Sequence, residues 1–122
     1  MVLRAHVGKL KVHGIAAEVA GDVLRLVRTF PAPDRFSIGD QLSRAAVSVP
    51  ANLAEACGRG TIPEFRRFLL YARGSAQEVL SLLQVTQRSG LGRREKVVSL
   101  ASKTALVLKM ICRLYDNPPP DR

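Results

Sequence analysis

The stretch that decides the fold is Ile38–Arg59, IGDQLSRAAVSVPANLAEACGR. Two stripes run through it at steps of three and four. Ile38, Leu42, Ala45, Val49, Leu53 and Ala56 are apolar, whereas Gln41, Arg44, Ser48, Asn52, Glu55 and Arg59 are polar. Such steps return to one side of a helix. An ordinary surface helix has one apolar face and an unpatterned polar one. Here the second stripe consists of side chains that give and accept directed hydrogen bonds, so this helix is expected to meet neighbours on more than one side. Pro50 lies inside it. Proline removes a backbone donor and crowds the preceding turn, yet both stripes pass it in phase. The reading is a single helix, bent at Pro50, that ends near Cys57 or Gly58.

Upstream, FPAPDRFS (residues 30–37) is a break. Pro31 and Pro33 stop the preceding helix, and Ser37 is placed to cap the next one. The first helix reads from about Lys9 to Thr29, with Val12, Ile15, Ala16, Val19, Val23, Leu26, Val27 and Phe30 on its apolar side. Gly14 and Gly21 each cost roughly 1 kcal/mol relative to alanine, unless they mark a close helix approach. His13 stands alone and reads as a surface or packing residue. Residues 1–8 read as a flexible lead-in.

Downstream, Thr61-Ile62-Pro63-Glu64 is a helix start: a capping threonine, a proline in the first turn and a glutamate placed to close a capping box. The third helix continues to about Arg88. Phe65, Phe68, Leu69, Ala72, Ala76, Val79, Leu82, Leu83 and Thr86 form its inner side. Arg67, Tyr71, Gly74, Ser75 and Glu78 form a polar line suited to the polar stripe of the second helix. Gly74 and Ser75 are small enough for a close backbone approach. After the turn Ser89-Gly90-Leu91-Gly92, a fourth helix runs from about Arg93 to Tyr115. Val97, Leu100, Ala101, Thr104, Val107, Leu108, Ile111 and Leu114 face inward. Arg93 and Arg94 are poorly placed there, because positive charge is disfavoured at a helix N-terminus. That misplacement points to another purpose for them. Residues 116–122, with Asn117 and three prolines, read as a disordered tail.

Four long helices with short breaks, and no strand-like alternation or internal repeat, predict an all-α, up-down-up-down four-helix bundle over residues 9–115. A chain of 122 residues suits one domain with one core. With aromatics at only 5% and no tryptophan, that core must be built of leucine, valine, isoleucine and alanine. Cys57 and Cys112 make neither a disulfide framework nor a metal site, and the default for both is a small buried apolar side chain. No segment approaches the roughly twenty apolar residues that span a bilayer, and the N-terminus has no leader-like apolar run. The cytoplasm, without membrane attachment, is the expected location.

The net charge of +9 is uneven. Residues 1–60 hold eight Lys/Arg against five Asp/Glu, whereas residues 61–113 hold ten against three. A basic domain of this size suits nucleic acid, an anionic surface or an acidic partner.

The second and third helices resemble the four-helix-bundle proteins encoded in 23S rRNA intervening sequences. That family is related to the accessory variability proteins of diversity-generating retroelements. The resemblance rests on Phe30-Pro31, on QLSRAAVSVPANLAEACGR from Gln41 to Arg59, and on EFRRFLLYARGSAQEV from Glu64 to Val79. Members typically carry Gln-x-x-Arg-Ala, Ser-Ile-x-x-Asn-Ile-Ala-Glu-Gly and Ala-x-Gly-Ser-x-x-Glu at these places. Two departures stand out. His13 takes the place of an aromatic early in the first helix, and Ala56-Cys57 precede Gly58 where glycine usually follows the glutamate directly. The resemblance implies a bundle that assembles into a ring, a homopentamer, and a basic, non-enzymatic protein. In the retroelement relatives it implies binding to a reverse transcriptase and nucleic acid.

Two sets of residues carry the functional expectation. Gln41, Arg44, Ser48, Asn52, Glu55, Arg67, Tyr71, Ser75 and Glu78 are expected to form a structural polar network that fixes helix register and subunit pairing. Arg44 and Arg67 are the expected partners of Glu55 and Glu78, which argues against paired catalytic carboxylates. Arg66, Arg73, Arg93, Arg94, Lys96, Lys103, Lys109 and Arg113 are the expected nucleic-acid-binding set. Arg66 with Arg73, Lys96 with Lys103, and Lys109 with Arg113 each share a helix face. Repeated around a ring they would form a belt that contacts phosphates without reading sequence. Few aromatics are interleaved with them, so base stacking is not indicated. No catalytic residues, metal ligands or cofactors are expected. The competing expectation is a protein–protein adaptor whose charge serves solubility or an acidic partner.

Overall fold

The computed structural model describes residues 10–119. The lead-in expected over residues 1–8 lies outside the described residues, as does the end of the expected tail, residues 120–122. Five helices follow in order: α1 (Lys11–Arg28), α2 (Ala32–Arg35), α3 (Ile38–Cys57), α4 (Ile62–Ser89) and α5 (Arg94–Asp116). Among the described residues there is no strand. The four long helices stand in a square. α3 packs on α4, α4 on α5, and α1 on both α3 and α5, with almost nothing across the diagonals. Each neighbour in sequence is therefore a neighbour in space, as short connections in a bundle require.

The core is the sum of the four apolar stripes. Leu42, Leu53, Phe65, Leu69, Leu83 and Val23 are fully buried along its axis. Ala20 and Ala46, just beside the expected stripes, are also buried. Alanine is small enough to be covered wherever two helices meet, so spacing alone assigns it poorly. Among the described residues, Thr86 and Thr104 are the buried polar side chains. Each satisfies itself by donating its hydroxyl to the carbonyl one turn back, on Leu82 at 2.8 Å and on Leu100 at 2.7 Å.

Several local expectations are corrected. The 30–37 break holds a helical turn of its own, α2, because Pro31 and Pro33 suit a helix start as well as an end. Ser37 precedes α3 but does not cap it through its side chain. Its Oγ donates backward, to the Pro33 carbonyl at 3.1 Å. Gly14 and Gly74 have open space around the position of a Cβ, so neither marks a close approach. Gly21 has only the Arg25 guanidinium nearby, at 3.9 Å. Cys112 is exposed, and Cys57 is half-buried. Thr61 behaves as expected, its Oγ1 accepting from the Glu64 N–H at 3.3 Å. α3 runs unbroken through Pro50.

The close approaches lie elsewhere. A Cβ on Gly39 would stand 2.7 Å from Val27, and one on Gly92 would stand 2.7 Å from Leu26. Gly92 also has φ of +71°, in the left-handed region. These two glycines let the start of α3 and the α4–α5 turn close over Leu26, Val27 and buried Phe30. This end of the bundle, where α1 and α4 finish and α3 and α5 begin, is shaped by them.

Candidate functional site

The polar network contracts to three residues. Ser48 Oγ and Ser75 Oγ are 2.8 Å apart across the α3–α4 contact. Asn52 Nδ2 donates both to Ser48 Oγ and to the Ser48 carbonyl, each at 2.9 Å. All three side chains are half-buried. Ser48 thus accepts twice from the Asn52 side chain, whereas the carbonyl that Pro50 leaves without a helical donor is that of Ala46, one turn back. The other expected members do not join. Gln41, Arg44, Glu55, Arg67, Tyr71 and Glu78 are exposed. Arg44 pairs with Asp40 at 3.2 Å, Glu55 with Arg59 at 2.6 Å, and Arg67 with Glu64 at 2.9 Å. The expected pairing of Arg44 and Arg67 with Glu55 and Glu78 is therefore wrong. Arg44, Glu55 and Arg67 instead pair with charges three or four residues away in sequence, where reach is guaranteed, and Glu78 has no salt-bridge partner among the described residues.

A second cluster was not foreseen. The Arg59 guanidinium lies over the Phe68 ring at 4.4 Å, and Arg67 lies against the same ring at 5.0 Å. Tyr71 meets Phe68 edge-on at 5.3 Å and accepts from Arg67 at 3.3 Å. The hydrogen bond and charge of Glu64 raise the Arg67 pKa further, so its charge is permanent. The signal was present as Arg67, Phe68 and Tyr71 at helical spacing, but Arg59 arrives from another element.

The eight basic candidates divide into two groups. Three are engaged. Arg66 donates Nε to the Tyr115 carbonyl at 2.9 Å and lies over the Tyr115 ring, so it fastens the end of α5 to α4. Lys103 pairs with Glu18 of α1 at 2.9 Å, which raises its pKa. Arg93 reaches Glu95 only at 3.8 Å, with both groups about four-fifths exposed. The other five, Arg73, Arg94, Lys96, Lys109 and Arg113, are exposed. They have no carboxylate partner among the described residues. Arg88, which the sequence reading passed over, belongs with them.

The structure brings some of these cations together. A cleft of about 580 Å³ beside the α4–α5 turn is lined by Gln84, Gln87, Arg88, Leu91 and Arg94. A second cleft, of about 330 Å³, runs between α1 and α5, lined by Arg25, Leu26, Arg93, Lys96, Ser99 and Lys103 among others. Arg93 and Arg94 stand at the start of α5 and enter different clefts. Neither caps the helix through its side chain, and Lys96 adds a third positive charge within the same turn. Such placement costs about 0.3–1 kcal/mol per charge through the helix dipole. Arg73 and Lys109 lie on the bodies of their helices, and Arg113 lies at the far end of the α1–α5 groove.

Among the described residues, no group of three or more His, Cys, Asp or Glu stands together in a way that could hold a metal ion. No helix among them is long and apolar enough to cross a membrane. Burial raises the Cys57 thiol pKa.

Comparison with known proteins completes the picture. A family profile described as "23S rRNA-intervening sequence protein" matches residues 8–113. A crystal structure of a protein of unknown function from the S23 ribosomal protein family of Bacteroides thetaiotaomicron superposes with a TM-score of 0.81 at 21% identity. The match covers 87% of this chain and 99% of that one, and it concerns the fold alone. No curated protein matches the sequence.

Proposed function

The chain belongs to the 23S rRNA-intervening sequence protein family, and from that premise we propose that it is a non-enzymatic, self-assembling protein that binds nucleic acid. The observation that carries this reading is the set of six exposed cations on α4 and α5 without a carboxylate partner among the described residues: Arg73, Arg88, Arg94, Lys96, Lys109 and Arg113. A surface charge that only served solubility would be expected to mix with acids. Here Glu78, Glu95 and Asp116 are the exposed acids of α4 and α5, beside the half-buried, Arg67-paired Glu64. Lysine and arginine without carboxylate partners are free to replace counterions on a phosphate backbone.

Assembly multiplies that surface. A homo-oligomer, a pentameric ring in the form the resemblance implies, presents each cation several times and gains avidity from weak single contacts. An apolar groove on the outer side of α1 and α3, lined by Leu24, Ser43, Arg44, Val47 and Ser48, supports self-association. RNA, alone or in a reverse transcriptase complex, is the partner such an assembly suits. The setting is the cytoplasm.

The test is a gel-shift titration of RNA and DNA at low salt, with light scattering for the subunit count. Changing Arg73, Arg94, Lys96 and Lys109 to glutamate is expected to abolish binding and leave the fold intact. This set avoids Arg66 and Lys103, whose loss would also unfasten helices. No binding of RNA or DNA by the wild type would favour the adaptor reading, binding untouched by the reversal would reject these cations as the interface, and a stable monomer would remove the assembly.

A further inference from the structure

The free cations are spread over several helices, and at the α4–α5 turn they line concave surface on both sides of one element. On one side, Arg88 leaves the last turn of α4 and Arg94 leaves the first turn of α5, and both line the larger cleft with the amides of Gln84 and Gln87. On the other side, Arg93 and Lys96 line the narrower cleft between α1 and α5. Two further cations of that cleft are already satisfied: Arg25 bonds to Asp22, and Lys103 bonds to Glu18. They leave Lys96 and Arg93 as the charges available to a ligand, with the Ser99 hydroxyl beside them. Asp22, held by Arg25, also lines this cleft, and Glu95 reaches Arg93 only at 3.8 Å, the outer limit of an ion pair.

We propose that this turn is where the sugar–phosphate backbone docks, Arg88 and Arg94 taking one phosphate and Arg93 and Lys96 taking another across the start of α5. The proposal rests on the nucleic-acid reading above and locates it. Arginine suits the role because its planar fork bonds two phosphate oxygens at once. The clefts supply shape, so a backbone with successive phosphates fits better than an isolated ion. Leu26 and Leu100 wall the narrower cleft. Their apolar surface lowers the local dielectric and strengthens charge–charge attraction at that wall.

The experiment compares two variants that lose the same charge. One carries Arg88→Gln, Arg93→Gln, Arg94→Gln and Lys96→Gln, and the other carries Lys11→Gln, Arg73→Gln, Lys109→Gln and Arg113→Gln. Binding of a fluorescein-labelled RNA hairpin is followed by anisotropy at several KCl concentrations. Wild type is expected to bind. The turn variant is expected to lose on the order of tenfold more affinity than the control, and its salt slope is expected to fall by about 0.9 per lost contact. Its Tm should stay close to wild type, since relief of three cations at the α5 N-terminus offsets the loss of Arg88 from the last turn of α4. Equal losses in the two variants would reject the turn as the site while leaving nucleic-acid binding in place. Failure of wild type to bind would reject both. Displacement of the hairpin by inorganic phosphate at matched ionic strength would mean that the clefts hold a free ion and not a polymer.

Discussion

Ser48 answers to two partners, Ser75 across the helix contact and Asn52 on its own helix. Ser48→Ala is therefore expected to cost about 1 kcal/mol in urea denaturation. Adding Ser75→Ala should cost much less than Ser75→Ala alone, because both remove the same bond. Gln41→Ala, on the same stripe but exposed, should stay within about 0.5 kcal/mol of wild type. Thiol labelling gives a second check. Exposed Cys112 should react before half-buried Cys57, whose raised pKa keeps it protonated near neutral pH, and mass spectrometry after brief treatment reads the order. At this scale the sequence told which residues share a face, and Ser48, Asn52 and Ser75 were legible for that reason. It did not tell which partner each charge would take. Asp40 for Arg44 and Arg59 for Glu55 lie one turn away, whereas a partner on another helix depends on how the two helices are rotated about their axes.

The four long helices were legible nearly to the residue, because buried positions such as Leu42, Val49 and Leu53 recur at steps of three and four. What escaped was α2, where proline at a helix start looks the same in sequence as proline after a helix end. The glycines were also misjudged. Those in mid-helix face open space, and the constrained ones are Gly39 and Gly92 at one end of the bundle. Gly92→Ala is expected to lower stability by about 1 kcal/mol for the left-handed backbone alone. The contact with Leu26 adds to that loss, and a thermal melt measures it. Arg94→Glu should act in the opposite direction, raising stability by about 0.3–1 kcal/mol because an acid suits the first turn of α5. A variant that folds better and binds RNA worse would show that this turn was selected for something other than stability.

For the molecule as a whole, charge and packing are distributed in different ways. The core is continuous through all four long helices, but the contact of α1 with α5 is the lightest of the four sides. Across it runs the Lys103–Glu18 pair, the one salt bridge among the described residues that joins two different helices. Its contribution is fully present below the ordinary lysine range and fades as pH climbs past the raised Lys103 pKa. The narrower of the two cation-lined clefts opens on this same side. A square closed by one weak edge has a preferred way to come apart. Amide deuterium exchange should show α1 losing protection ahead of α3 and α4, and sooner in alkaline buffer. The bundle would then behave as a three-helix hairpin stack with a hinged fourth wall, and RNA lodged between α1 and α5 would act as the latch that slows its opening.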